Sequence, residues 1–281
     1  MNREQEIFKN GSTTYYFSSK FFPKSSRIDV FRLYSFVRLA DDFVDKIPAD
    51  KSSFFKLEKL WNKVYKNDEM LKINKKSGDI ERVVNNLFLF YKKYNFDPDW
   101  VIAFLDSMKM DVNKYEYKTM SETLKYIYGS AEVIGLMMSQ ILGVDKKAYK
   151  YAKFQGRAMQ YINFIRDISE DNQLKRLYFP KSELRKFGLV SLSEHDIVGH
   201  RSEFNEFVEA QILKYESWQK EANKGFKFIP YKQRIAVRTA VDCYNWTARQ
   251  IAKYPVVVFD KKVKPSKMRV LTRAILRFLH A

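Results

Sequence analysis

The chain's 281 residues are enough for a sizeable core, and a content of 46% hydrophobic and 16% aromatic residues excludes general disorder. Fifty-one basic against 33 acidic residues leave a formal net charge of +18, which implies an anionic partner, whether nucleic acid, lipid surface or phosphorylated substrate, although a lysine-biased genome would produce much of it without any function. With Cys243 the only cysteine, a charged amino terminus lacking the apolar core of a signal peptide, and no run near the ~20 apolar residues that span a bilayer, the sequence excludes an intrachain disulfide and suits a reducing cytoplasm.

Only nine Gly and seven Pro interrupt long stretches of apolar residues at three- and four-residue spacing, which predicts an all-α protein. A short extended start leads to a helix over 27–46, capped by Ser25 and Ser26 and ended by Ile47-Pro48-Ala49-Asp50. Helices follow over 51–66, 79–94 and 98–110, with Asn95-Phe96-Asp97-Pro98 as a cap-and-proline junction. A longer helix over 121–142 contains Gly129, Ala131 and Gly135, small residues that let another backbone or a bulky ligand come close. Another runs from 145 to about 171 before Leu177-Tyr178-Phe179-Pro180 leaves it. The remainder reads as loop with a short helix over 188–201, then helices over 203–224, 231–254 and 266–279. The last sets Arg269, Arg273 and Arg277 against Val270, Ala274, Ile275 and Phe278, a pattern suited to a core-packed helix with a basic outer face or to a helix lying on a membrane. Neither a repeat nor a composition break marks a linker, so residues 1–281 are expected to form one domain.

Two acidic clusters, Asp41-Asp42-Phe43-Val44-Asp45 and Asp167-Ile168-Ser169-Glu170-Asp171, stand out because each repeats a carboxylate at i and i+4. That spacing stacks like charges on one helix face at a cost of a few tenths of a kcal/mol, unless a cation lies between them. Solvated helix faces carry such pairs too, but both clusters here sit among Phe, Ile and Val. Hard oxygen ligands without neighbouring His or Cys point to Mg2+, with Mn2+ as a substitute, completing its shell with diphosphate oxygens. Arg38, one turn before Asp41, and Arg166, beside Asp167, can donate to the same oxygens.

The segment from Tyr34 through Arg38 to Asp45 resembles the first aspartate-rich motif of the squalene and phytoene synthase family. Gln160 to Asp171, continuing through Arg176 to Pro180, resembles the second, and Tyr126 to Gly135 is similar to the helix between them. The resemblance covers nearly the whole chain in order. It implies an isoprenoid synthase fold, a helical bundle around a central apolar cavity. It also implies head-to-head condensation of two allylic prenyl diphosphates through a cyclopropylcarbinyl diphosphate, releasing two diphosphates. Asp41, Asp45, Asp167 and Asp171 would hold the metal, Arg38, Asn163, Arg166 and Tyr178 the diphosphates, and Tyr34, Tyr126 and Tyr244 would line the pocket. Glu132 departs from the family pattern by placing a carboxylate in a run of small residues.

Bacterial and archaeal relatives of this size make phytoene or dehydrosqualene without NADPH, and the small Ser18 and Ser19 do little to shorten the cavity, which favours geranylgeranyl diphosphate and phytoene. A C30 synthase using farnesyl diphosphate, giving squalene, dehydrosqualene or presqualene diphosphate, is the alternative. A terpene cyclase or head-to-tail prenyltransferase fits the second motif less well, because such enzymes usually repeat Asp-Asp-x-x-Asp in both. A non-catalytic basic module binding RNA or an anionic membrane leaves both acidic clusters unexplained, so no nucleic-acid partner is expected, while peripheral membrane contact is compatible with the enzyme.

Overall fold

The computed structural model describes residues 13–114 and 116–279, and the expectations for residues 1–12, 115, 280 and 281 lie outside that range. Among the described residues there is no strand, only an isolated parallel bridge between Glu116 and Leu177. The helices are α1 Thr13–Ser19, α2 Lys24–Val44, α3 Lys51–Asn67, α4 Asp79–Tyr94, α5 Pro98–Asn113, α6 Met120–Ile127, α7 Val133–Ile141, α8 Tyr149–Arg166, α9 Ile168–Gln173, α10 Lys181–Lys186, α11 Glu194–Val198, α12 Arg201–Asn223, α13 Tyr231–Lys253, α14 Val257–Asp260 and α15 Lys267–Leu279. None of them is long and apolar enough to cross a membrane.

Where the sequence carries local stop signals, the expected boundaries hold. Asp50 caps α3 by accepting from the Ser53 amide at 3.1 Å, and Asp97 with Pro98 opens α5. Elsewhere packing intervenes. Helix α2 begins three residues before the expected start, because the Pro23 carbonyl already accepts from the Arg27 amide and buried Ser26 is interior rather than a cap. The stretch expected to start extended includes helix α1. The single helix expected over 121–142 is interrupted by a π-helical turn, Tyr128–Glu132. The small residues there admit a neighbouring backbone: a Cβ on Gly129 would lie 2.0 Å from the Ala103 carbonyl oxygen of α5. The helix expected over 145–171 likewise breaks at Asp167 between α8 and α9.

Two apolar cores flank the functional region. One, built on α2 to α5 and α7, buries Phe36, Phe54, Trp61 and Phe104, and the other, built on α6, α8, α12 and α13, buries Tyr161, Phe204, Phe207 and Tyr215. Each such side chain contributes roughly 1.5–3 kcal/mol on removal from water. Their packing fixes α2, which carries Asp41 and Asp42, and α8, which leads into Asp167, on either side of a shared cavity.

Candidate active site

Helix geometry brings Arg38 against its own cluster. Its guanidinium forks, with Nη1 donating to Asp41 Oδ2 at 2.8 Å and Nη2 lying 2.6 Å from Asp42 Oδ1. One arginine shared by two carboxylates leaves the cluster under-compensated. Burial pushes Asp41 up to about 8, Asp45 and Asp111 add to the rise, and Arg38 opposes it.

The leading carboxylate of the second cluster is more fully matched. Arg166 clasps Asp167 with two bonds, Nε to Oδ1 at 2.7 Å and Nη2 to Oδ2 at 2.6 Å. Lys262 reaches Asp167 at 3.1 Å and also pairs with Glu170. Burial raises the Asp167 carboxyl, but these two cations outweigh it and hold it below the ordinary value. The helix break at Asp167 preserves the expected stacking, since the Asp171 amide still donates to the Asp167 carbonyl at 2.8 Å.

The clusters, 126 positions apart, meet through a residue outside both. Lys175 adopts a left-handed conformation (φ 57°) and turns Arg176 inward. There Arg176 Nη1 donates to Asp45 Oδ1 at 2.6 Å and Nη2 to the Val44 carbonyl at 2.7 Å. Asp171 is pushed well above the carboxylate range by burial and then by Asp167, while Asp111 and Asp45 add to the rise against Arg176. The Arg176 amide donates to the Asp171 carbonyl at 2.8 Å, so one residue touches both clusters.

Asp111 extends that site and was not anticipated. It is buried on α5 and accepts from the hydroxyls of Tyr126 at 2.7 Å and Tyr178 at 2.8 Å. Burial lifts it to about 6 against the pull of Arg176. The Tyr178 ring stacks on Phe164 with centroids 4.4 Å apart. Tyr126 and Tyr178 are thus held by Asp111, away from the cavity wall.

An apolar cavity of about 290 Å³ lies between α2 and α8. Its wall includes Leu33, Tyr34 and Val37 of α2, Ile134 and Met138 of α7, Met159 of α8, and Ser18 and Ser19 of α1. From Tyr151 to Asn163 it follows α8 for 12 residues, about 18 Å at 1.5 Å each. Tyr34 and Asn163 stand on the acid side, each within two turns of a cluster. Tyr244 is buried on α13, within electrostatic reach of Tyr34 and Arg166. Glu132 turns from the cavity to Arg157, whose Nε donates to it at 2.7 Å.

Among the described residues, no three Asp, Glu, His or Cys side chains form a ready metal cage. The donor set nevertheless fits a hard cation sharing its shell with a diphosphate. Asp41 and Asp171 are raised by burial and then by neighbouring acids, and the Asn163 amide oxygen is buried without a hydrogen-bond partner.

Residues 8–269 match the squalene/phytoene synthase family model. The chain is 25% identical to the 15-cis-phytoene synthase of Pantoea ananas, covering 98% of this chain and 90% of that one. It is 23% identical to phytoene synthase 3 of Zea mays, covering 98% and 65%. A dehydrosqualene synthase crystal structure superposes with a TM-score of 0.83 at 21% identity, covering 99% and 94%. A squalene synthase of Alicyclobacillus acidocaldarius gives 0.70 at 18%, covering 89% and 90%. These structures share the all-α isoprenoid synthase fold, and the phytoene synthase relatives carry the activity class: the chain is a head-to-head prenyltransferase and belongs to the squalene/phytoene synthase family.

Proposed function

We propose that this enzyme condenses two molecules of geranylgeranyl diphosphate to phytoene, without NADPH, in an Mg2+-dependent reaction. The observation that supports the reading is that one long apolar cavity is lined by Val37, one turn before Asp41, and by Asn163, one turn before Asp167, while Arg176 donates from its guanidinium to Asp45 and from its amide to the Asp171 carbonyl. Diphosphate groups belong beside the acids and the prenyl chains in the cavity.

Mg2+ held among Asp41, Asp45, Asp167 and Asp171 would act as a Lewis acid on the departing diphosphate. Arg38 and Arg166 lie within the clusters, where their positive charge opposes the anion that develops as the first C–O bond breaks. The allylic cation left behind alkylates the double bond of the second chain, giving the cyclopropylcarbinyl diphosphate. A second ionisation, rearrangement and proton loss complete the hydrocarbon. Walls of Leu, Ile, Val and Met keep water from these cations, and Tyr34 offers an aromatic face in the wall. Asp111 fixes Tyr126 and Tyr178 behind the acids, which makes these tyrosines positioning groups for the site.

The wall where α1 meets the cavity supports the longer substrate. Ser18 and Ser19 line the cavity, so little bulk limits a C20 chain where α1 meets it. Incubating the enzyme and Mg2+ with geranylgeranyl or farnesyl diphosphate, with and without NADPH, and identifying the hydrocarbon tests the proposal. Phytoene from the C20 substrate without NADPH is expected, and Ser19→Phe shifts preference towards the C15 substrate. Turnover of farnesyl diphosphate alone by the unaltered chain contradicts the C40 assignment.

A further inference from the structure

Helix α15 is built with its faces reversed from those of an ordinary surface helix. Its buried positions are small, Val270 and Ala274, which seat it against α13 and α1. The large apolar residues point outward: Met268 is 72% exposed, Ile275 57% and Leu279 68%. At 100° per residue, Met268, Thr272, Ile275, Leu276 and Leu279 share one solvent-facing stripe. Such a surface is costly in water unless something covers it.

The charge around it selects the occupant. Residues 261–279 contain seven Lys and Arg and no acidic residue. Arg269 and Arg273 flank the stripe on one side, and the Arg269 guanidinium lies over the Trp246 ring, 4.6 Å from its centroid. Lys267 similarly lies over Phe17 of α1. A second copy of the chain would bring the same cations against this face. A nucleic acid would satisfy the cations and leave the apolar stripe in water. An anionic bilayer satisfies both, with acyl chains for the stripe and phosphates for its basic flank.

We propose that α15 is a docking helix by which this protein lies on an anionic lipid bilayer, its Met268–Ile275–Leu279 stripe entering the headgroup boundary beside Arg269 and Arg273. The surface stands one helix away from the cavity, since α1 and α13, on which α15 packs, both contribute to the cavity wall. Docking there sets a hydrocarbon-binding cavity next to a hydrocarbon phase. This assignment is independent of which prenyl diphosphate is used.

The test is sedimentation of the full chain with sucrose-loaded vesicles of phosphatidylcholine alone or mixed with phosphatidylglycerol. Binding is expected to the mixed vesicles and to weaken with salt. Replacing Met268→Ser with Leu279→Ser, or Arg269→Gln with Arg273→Gln, is expected to lower it by about tenfold or more, while helical content and turnover of detergent-dispersed substrate stay unchanged. Because the altered side chains are exposed or half-exposed, a folded variant is available for the comparison. Equal binding to neutral vesicles, or unchanged binding by the serine pair, overturns the proposal. Loss with the arginine pair alone, alongside salt-sensitive RNA binding, assigns the face to a polyanion instead and overturns it as well.

Discussion

The leading aspartates of the two acidic clusters, Asp41 and Asp167, hold the same place in a shared spacing and differ in electrostatic state. In the first, Arg38 divides its donors between Asp41 and Asp42, and Asp41 is lifted to about 8. In the second, Arg166 gives both donors to Asp167, Lys262 adds a third contact, and the carboxyl is held low. The i,i+4 pattern is therefore only half of each site. Burial raises both carboxyls, and the cations beside each decide whether that rise stands, as at Asp41, or is reversed, as at Asp167.

Removing the cation from each pair separates the two states most strongly. Arg166→Met leaves Asp167, whose side chain is only 17% exposed, with a single lysine, and is expected to cost about 3–5 kcal/mol in denaturant unfolding. Arg38→Met acts on Asp41 and Asp42, which keep a solvent-facing edge (side chains 35% and 44% exposed) despite the protein packed around Asp41, and is expected to cost about 1 kcal/mol or less. Equal losses would show that the clusters do not differ in this way.

Neutralising the acids gives a smaller effect of opposite sign. Asp41 in the fold lies above the ordinary 3.8, so without divalent cations its contribution to stability declines as pH rises from about 4 towards 8. Asp167 lies below the ordinary value, so its contribution is present at neutral pH and disappears as pH falls below about 4. In EDTA at pH 8, Asp41→Asn is expected to raise Tm by about 2–4 °C and Asp167→Asn to lower it by a similar amount. At pH 4 the gain from Asp41→Asn shrinks towards zero. Two shifts of the same sign at pH 8 would refute the distinction.

The sequence makes the acids legible because an i,i+4 repeat is a local pattern, and the long helices legible because their apolar spacing is. What it hides is long-range. Arg176 falls in a quoted motif, yet its contact with Asp45 depends on the left-handed turn at Lys175. Asp111 carries no repeat, although an acid in line with buried Phe104 and Met108 on the inner face of α5 is a signal that could have marked it. The π-helical turn at Tyr128–Glu132 escapes a periodicity reading because the apolar spacing continues through it, and the approach of α5 to Gly129 is a tertiary contact that no local pattern records. The short helices α10 and α14 are too brief to show a period.

The central claim is that the two clusters serve one diphosphate site. Diphosphate release from geranylgeranyl diphosphate with Mg2+, measured for the unaltered enzyme, Asp41→Ala and Asp167→Ala, tests it most directly. The account predicts that either substitution alone lowers the rate by about 10³-fold or more with helical content intact. Near-normal release by either variant would contradict it.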